Sequence, residues 1–578
     1  MIITLSKKKL ETNKIMNVIL ENYNEWCSKI FDKDTVSNVI NLKKKNSLEF
    51  EDSFYKNLEF GTGGMRGIMG VGPNRVNKYT FGKTTQGICN FLKKEFKGIK
   101  TSVVIGYDCR NNGKELHDIV SNVFSSNGVT VYCFDSIQPT PLISFALRVL
   151  KCNCGVVLTA SHNPPEYNGY KVYWEDGGQI VPPIDKKLIS EIDDVKYSNI
   201  KFSRNKSLIK VMDDTVKNSY LKKSHLNFNL NSKKNLKIVF TSLHGTSFKL
   251  IPELLKKSGF SNVKFVENQM IPDGNFTNVN SSNPEDKNSL EQAIQIAKNN
   301  NSDLVIGTDP DADRFGIAVK NYKGDFIHIN GNQSMVVLTD FLLSKIENKR
   351  ENSFIASTVV STPMMGKIAK KNNVKIMLSL TGFKWIGKMI NDYPELSYIC
   401  GGEESFGFLA KDFVRDKDAI TSSLIISELC NELKNNNSSF YDRLIDCYMK
   451  YGFYKEKLIT QTEKGIEGAI KIKNKLNSLR ENPPNFLDDS EIILIYDYYS
   501  SKIFDKKNKV FKTIDLPKTN LLIFESLNGN RVAVRPSGTE PKIKFYFSVN
   551  TNLNLKKDFE IKNDFLNEKI NLLKRQFI

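Results

Sequence analysis

The sequence predicts an α/β protein of three similar units followed by a smaller C-terminal one, and three observations lead there. Short apolar, strand-like runs alternate with helix-like segments, the pattern of α/β folds. The alternation restarts after polar breaks, and it leads into loops dense in glycine, serine, aspartate or arginine. At 578 residues the chain is too long for one core, and about 100–200 residues per domain gives three to five domains.

In the first unit a strand at 103–108 is followed by a helix near 115–125, a strand at 129–132, a helix near 141–150 and a buried strand at 155–158. A lysine-rich link near 200–235 separates it from the second set. There a strand at 237–240 precedes a helix after Leu250, a strand at 263–266, a helix at about 286–298 and a strand at 304–307. The third begins after a charged turn at 321–325, with a helix at 333–347 and a strand at 354–360, and later a helix from about Ala419. Charged, poorly patterned sequence then reads as a linker or insertion, and strands with a terminal helix at 565–574 close the chain. The expected domains are 1–205, 206–322, 323–455 and 516–578, with 456–515 between the last two.

Composition narrows the function. The chain is 40% hydrophobic and 25% charged, as in soluble globular proteins. No run approaches about 18 apolar residues, so neither a membrane span nor a signal peptide is expected. Nine scattered cysteines, of which only Cys152 and Cys154 are close, fit buried thiols in a reducing cytoplasm. The net charge of +19 comes from 70 lysines and only 13 arginines spread over the whole length. Phosphate-backbone readers concentrate arginine's rigid fork in a patch, so nucleic-acid binding is not expected. A basic surface can still raise encounter rates with an anionic sugar phosphate.

Five loops carry chemistry. In Thr159-Ala160-Ser161-His162-Asn163-Pro164-Pro165, a serine stands just past a buried strand, with Lys171 ten residues on. Such a serine is often only a turn former. A hydroxyl becomes a nucleophile only with a base or cation beside it, and Lys171, Arg66 and His162 can supply those. In Asp309-Pro310-Asp311-Ala312-Asp313-Arg314, alternation in an extended loop aims three carboxylates at one point. That arrangement is costly without a cation, and hard oxygen ligands select Mg²⁺. Arg314 would stand beside the metal. From Arg531 to Glu540, Arg535, Ser537, Gly538 and Thr539 join Arg531 in a segment suited to a phosphate dianion, although an exposed basic hairpin would look similar. Gly401 to Gly407 places Glu403 and Ser405 on one side of an extended segment, as acceptors for sugar hydroxyls. Finally, Gly61-Thr62-Gly63-Gly64-Met65-Arg66-Gly67 is a glycine-rich turn without the spacing of a dinucleotide fingerprint, fit to bring Arg66 close to a substrate.

The serine, aspartate, 401–407 and 531–540 loops, in that order along the chain, resemble those of the α-D-phosphohexomutase superfamily, in the branch of bacterial phosphoglucomutases and phosphopentomutase-like enzymes. The resemblance covers essentially the whole chain. It implies three related α/β domains and a C-terminal TBP-like α+β domain around a central cleft. By resemblance Ser161 carries a phosphate in the resting enzyme. Asp309, Asp311 and Asp313 then bind Mg²⁺ with that phosphate as fourth ligand, and Arg66 and Lys171 hold acid/base positions. Glu403 and Ser405 grip sugar hydroxyls, Arg535 to Glu540 binds phosphate, and Thr381, Gly382, Lys384 and Trp385 match a loop that recognises sugar or phosphate.

Many relatives carry a histidine just after the sugar loop or a few residues later; Phe408 and Phe413 stand in those places here. The implied activity interconverts α-D-glucose 1-phosphate and glucose 6-phosphate, with glucose 1,6-bisphosphate as activator and intermediate. Phosphopentomutase and phosphomannomutase are the alternatives, and a silent sugar-phosphate-binding protein is a remote one. A cytoplasmic monomer or weak dimer, acting on small phosphorylated sugars with no nucleic-acid or membrane partner, completes the expectation.

Overall fold

The computed structural model describes residues 2–61, 63–225, 233–346, 352–463, 465–537 and 542–578. They form two compact units. One comprises Met1–Ala318, Gly387–Tyr393 and Leu409–Asn431; the other comprises Val319–Ile386, Pro394–Phe408 and Glu432–Ile578. The region expected as a third domain therefore contributes segments to both.

The first unit holds two sheets. One has the strand order Gly64–Ile68, Tyr167–Trp174, Cys154–Leu158, Ser102–Tyr107, Thr130–Cys133 and Ile209–Val211. Its strands from Cys154–Leu158 onward run parallel, while Tyr167–Trp174 and Gly64–Ile68 are added antiparallel. Every residue of Cys154–Leu158 is buried, as a parallel strand covered on both faces requires. In the other sheet, Ile238–Thr241 lies between Val263–Phe265 and Leu304–Thr308, parallel to both. The helix expected at 286–298 begins later, at Glu291, after a 3-10 turn at Lys287–Leu290.

In the first 60 residues, where the lysine runs at 7–9 and 43–45 suit solvated helix faces, three helices form: Ile2–Trp26, Lys33–Lys45 and Ser47–Phe54, with Lys43, Lys44 and Lys45 exposed. An aromatic cluster anchors them. Trp26 is fully buried between Phe31, stacked at 4.5 Å, and the edges of Phe54, Tyr79 and Tyr197. Aromatic pairs of this kind add to the stabilisation from burial itself.

In the second unit Ser353–Thr358 pairs in parallel with Lys375–Ser379 and Ser397–Gly402. Asn330 caps the helix Gly331–Ser344 in a reciprocal box with Gln333. The stretch 456–515, expected as a linker or insertion, is regular structure. It carries most of the strand Phe453–Thr462, the helix Gly465–Glu481 and the strands Ser490–Asp497, Lys502–Asp505 and Val510–Thr513. All four strands belong to one antiparallel sheet with Leu522–Ser526, Arg531–Pro536 and Lys542–Thr551. Its strands within 456–515 are mostly half-buried or exposed, Val510–Thr513 throughout, and charged residues flank them, so the stretch looks poorly patterned despite the apolar run at 492–496. The last helix spans Phe559–Phe577, longer than expected, because its buried positions Phe559, Leu566, Ile570, Leu573 and Phe577 are separated by charged solvent-facing residues. No described helix is long and apolar enough to cross a membrane.

Candidate active site

Ser161 opens the turn that follows the buried strand Cys154–Leu158. Its backbone is left-handed, with φ 53°, and its N–H donates to Thr159 Oγ1 at 2.8 Å. A non-glycine residue in this region is held there by its surroundings. The side chain is buried. Oγ donates to Asp309 Oδ2 at 3.1 Å and lies 3.3 Å from His162 Nδ1. Burial, and then Arg314 and Arg66, push the His162 ring well below its ordinary pKa, so it is uncharged at neutral pH.

Register brings the basic groups. The strand Tyr167–Trp174 doubles back beside Cys154–Leu158, setting Lys171 opposite Val157. The strand Gly64–Ile68 pairs on its other side, with Arg66 opposite Gly169. Arg66 keeps an exposed face; the surrounding protein draws its pKa down while Asp311 and Asp313 push it back up.

The aspartate loop leaves the fully buried strand Leu304–Thr308 and folds on itself. Asp309 Oδ1 accepts from the N–H groups of Asp313 at 3.1 Å and Arg314 at 2.9 Å, and Ala312 is left-handed with φ 53°. Gly245 packs beneath: a Cβ there would fall 2.6 Å from Pro310 Cα. As a result, Asp309, Asp311 and Asp313, all buried, present ligand oxygens within 4.8 Å of one another.

Three carboxylates in the interior need positive charge. Lys171 Nζ donates to Asp311 Oδ2 at 2.6 Å and Asp313 Oδ2 at 2.8 Å. Lys417 Nζ lies 2.8 Å from Asp313 Oδ2, and Thr140 Oγ1 donates to Asp311 Oδ2 at 2.8 Å. Burial would raise Asp313, but Lys171, Lys417 and Arg314 outweigh it and hold the carboxyl well below its ordinary value. Asp309 goes the other way, raised by burial and then by Asp313 and Asp311. The buried atoms Asp311 Oδ1 and Asp313 Oδ1 have no hydrogen-bond partner. Unsatisfied buried carboxylate oxygens converging with a protonation-prone third carboxylate fit a hard divalent cation. Arg314, expected beside the metal, reaches Glu285 Oε1 at 2.6 Å and lies 3.8 Å from Asp313 Oδ1.

Lys417 and Thr140 escaped the sequence reading as site residues. Lys417 lies in the segment singled out for its missing histidine. There Phe413 packs edge-on to Phe145, while four residues later Lys417 reaches the aspartates. The available signal was charge: three convergent carboxylates call for more cations than Lys171 and Arg314 supply.

The second unit gathers the sugar- and phosphate-loop residues. Glu403 is buried, and its Oε1 accepts the Gly382 N–H at 2.8 Å, tying its loop to that of Thr381, Gly382, Lys384 and Trp385. Glu404 reaches elsewhere: Oε2 accepts from Ser361 Oγ at 2.8 Å and Thr358 Oγ1 at 3.1 Å. The turn at Ser405 passes through Phe406, left-handed at φ 67°, and Gly331 packs so closely that a Cβ there would lie 2.2 Å from Glu404 O. Lys384 Nζ stands 5.5 Å from the Trp385 ring centre, and Trp385 packs against the cluster of Val360, Leu380, Tyr498 and Tyr546. Arg535, half-buried, lies in register with Lys544 on the strand Arg531–Pro536, and Ser537 N–H donates to Lys542 O at 2.7 Å. Tyr546 feels Glu404, Arg535 and Glu403 together, and its hydroxyl is pushed up to about 12, chiefly by burial. Arg531 pairs with Glu525, Nε to Oε2 3.3 Å. Gly538 and Thr539 lie outside the described residues.

Residues 57–199, 218–324 and 330–448 match the family models for alpha/beta/alpha domains I, II and III of phosphoglucomutase/phosphomannomutase. A phosphoglucomutase of Staphylococcus aureus is 37% identical over 514 residues, covering 88% of this chain and 92% of the relative. Among solved structures, parafusin (phosphoglucomutase) of Paramecium in its open form superposes with a TM-score of 0.68 at 18% identity, over 90% of this chain and 96% of that one. A phosphoglucomutase/phosphomannomutase family protein of Burkholderia thailandensis gives 0.63 at 18% identity, over 89% and 97%.

Proposed function

The chain belongs to the phosphoglucomutase/phosphomannomutase family of the α-D-phosphohexomutase superfamily, and we propose that it interconverts α-D-glucose 1-phosphate and glucose 6-phosphate through a phosphorylated Ser161 and a bisphosphorylated sugar. The observation that carries this reading is the position of Ser161 Oγ, 3.1 Å from Asp309 in a buried cluster of three carboxylates and two lysines.

Phospho-Ser161 passes its phosphoryl group to the free hydroxyl of the bound monophosphate; the P–O bond to Oγ breaks and one to the sugar oxygen forms. The sugar hydroxyl gives up a proton and Ser161 Oγ gains one. His162, uncharged and 3.3 Å from Oγ, is placed to move the Oγ proton. Lys171 stays protonated: burial alone would lower its pKa, but Asp311 and then Asp313 outweigh that and raise it. With Arg66 it faces the charge on the transferring group, where fixed cations in a buried site act strongly. The bisphosphate then presents its other phosphate, and Ser161 takes that one back. Asp309, Asp311, Asp313 and the Ser161 phosphate would hold Mg²⁺, which when bound supplies charge neutralisation at the phosphoryl oxygens. Glu403 and Ser405 are assigned to the sugar hydroxyls, Arg314 and the loop Thr381, Gly382, Lys384 and Trp385 to substrate contacts. Arg531, Arg535, Ser537, Gly538 and Thr539 are assigned to the non-reacting phosphate. Glucose 1,6-bisphosphate would restore the phosphoserine whenever it is lost.

Two measurements test the reading. Intact mass of the active protein should show a population heavier by one phosphoryl group, absent from Ser161→Ala, and that variant should lose mutase turnover by several orders of magnitude. Parallel kinetics on glucose, mannose and ribose 1-phosphates should favour glucose; a preference for ribose or mannose 1-phosphate would replace the hexose or gluco assignment. A Ser161→Ala protein with unchanged turnover would remove the phosphoserine from the mechanism.

A further inference from the structure

The backbone that carries Ser161 is gripped from behind by a single guanidinium. Arg110 lies three residues beyond the strand Ser102–Tyr107 and is 3% exposed. Its NH1 donates to the carbonyls of Pro164 and Tyr167, both at 2.8 Å. Its NH2 donates to the carbonyl of Ser161 at 2.7 Å and to that of Asn163. Four carbonyls across seven residues thus converge on one planar group. The group is itself fixed. Asp108 Oδ2 lies 3.5 Å from Arg110 Nε, Asp108 Oδ1 accepts the Arg110 N–H at 2.9 Å, and the ring of Phe276 sits 5.2 Å from the guanidinium carbon. Phe276 is held in a left-handed conformation, φ 52°, to be there.

We propose that Arg110 is a positioning residue for phosphoryl transfer: it locks the 161–167 backbone so that Ser161, at φ 53°, keeps Oγ directed at Asp309. The inference rests on the reading of Ser161 as the phosphoryl carrier. The role is one of shape. The segment 159–166, with two prolines, belongs to no strand whose ladder would fix where the serine points. Arginine's rigid fork of five donors can serve four carbonyls at once, whereas a lysine ammonium presents three donors from a point. Displacement of a reacting atom by about 1 Å costs about 100-fold in rate, so a loosened turn slows transfer without touching the groups that grip the substrate.

The test compares Arg110→Lys and Arg110→Met with the wild type in the full chain. Steady-state kcat and KM for glucose 1-phosphate are measured together with the single-turnover rate at which glucose 1,6-bisphosphate phosphorylates Ser161, each normalised to the folded fraction. Both variants should lose about 100-fold in kcat and in Ser161 phosphorylation, with KM within about 3-fold of wild type. Arg110→Lys within about 3-fold of wild-type kcat would show that charge alone suffices and would overturn the proposal. So would a loss fully accounted for by the unfolded fraction. Should Arg110→Met fail to fold, Phe276→Leu, which frees one face of the guanidinium, should lower the phosphorylation rate severalfold at constant KM; an unchanged rate there also counts against the lock. Failure of the underlying reading is distinguishable, because Ser161→Ala would then turn over as fast as wild type whatever the Arg110 variants do.

Discussion

Lys171 Nζ stands 2.6 Å from Asp311 Oδ2, and both side chains are buried. The same ammonium bridges to Asp313 at 2.8 Å, so its one positive charge is shared between two of the three carboxylates that would hold the metal. Taking one partner from a buried pair leaves an uncompensated charge and costs about 3–5 kcal/mol. Lys171→Met should therefore melt well below wild type in chelator, and Mg²⁺ should raise its melting temperature more than it raises that of the wild type, because the added cation takes over part of the neutralisation. Turnover should fall by about 10²–10³ even with metal present. Thermal scans with EDTA and with Mg²⁺ give the answer. Equal shifts in the two proteins would mean that lysine and metal do not share the same carboxylates.

Asp311→Asn keeps the shape of the loop and removes one charge. The orphaned Asp311 Oδ1 is one of the oxygens that the cation would satisfy. The Mg²⁺ concentration for half-maximal activity should rise, and turnover at saturating metal should fall by roughly 100-fold, with KM for the sugar phosphate changing far less. Chelator-treated wild type should be inactive until metal is returned. Full activity without added metal would show that the three aspartates serve a structural charge network with the lysines.

Much of this arrangement was legible in the sequence because its parallel strands are buried on both faces and so read as unbroken apolar runs. The runs at 155–158 and 304–307 lie within Cys154–Leu158 and Leu304–Thr308, and each delivers its loop directly into the buried cluster. The strands of 456–515 are mostly half-exposed and set among charged residues, so the apolar run at 492–496 was the one strand signal of that kind the stretch offered. Lys417 was hidden for another reason. A lysine's sequence neighbours do not show which carboxylate it will meet, and only the fold brings it within 2.8 Å of Asp313. The N-terminal helices show in the sequence only through their lysine-rich faces, because their anchor joins Trp26 and Phe31 to the distant Tyr79 and Tyr197.

Glu456 gives the protein a pH-dependent stability. It lies on the strand Phe453–Thr462 opposite Ser548, whose hydroxyl is 3.4 Å from Oε1. The residue is half-buried with its carboxyl end enclosed. That burial pushes the pKa up to about 7, against hydrogen bonds from Thr362 and Ser548 that pull it down. A folded-state value above the unfolded value of about 4.3 means that the folded protein keeps a proton which the unfolded chain releases. The contribution is fully present below about pH 4.3 and is lost as pH rises through about 7, then stays level. Glu456→Gln, uncharged throughout, escapes this loss. Its melting temperature relative to wild type should climb between pH 5 and pH 7.5 and then level off. Parallel melting curves across that window would place the Glu456 pKa near that of an ordinary carboxylate.

Arg535 makes a different kinetic demand. It is half-buried on the strand Arg531–Pro536, beside Tyr546, which also senses Glu403 and Glu404. If the arginine grips the phosphate that does not react, its interaction is present in the ground state and the transition state alike, and such uniform binding appears in KM before kcat. Arg535→Ala should raise KM for glucose 1-phosphate by about 10-fold or more, as expected for a charge-assisted bond of about 1.5–3 kcal/mol. Turnover at saturation should fall less, and inhibition by orthophosphate and by glucose 6-phosphate should weaken in step with KM. Because Arg531 is engaged with Glu525, 3.3 Å away, Arg531→Ala should change these constants less than Arg535→Ala does. An unaltered KM with unaltered inhibition in Arg535→Ala would place the arginine outside the substrate site. The strand Arg531–Pro536 would then be no more than a basic interior strand of the C-terminal sheet.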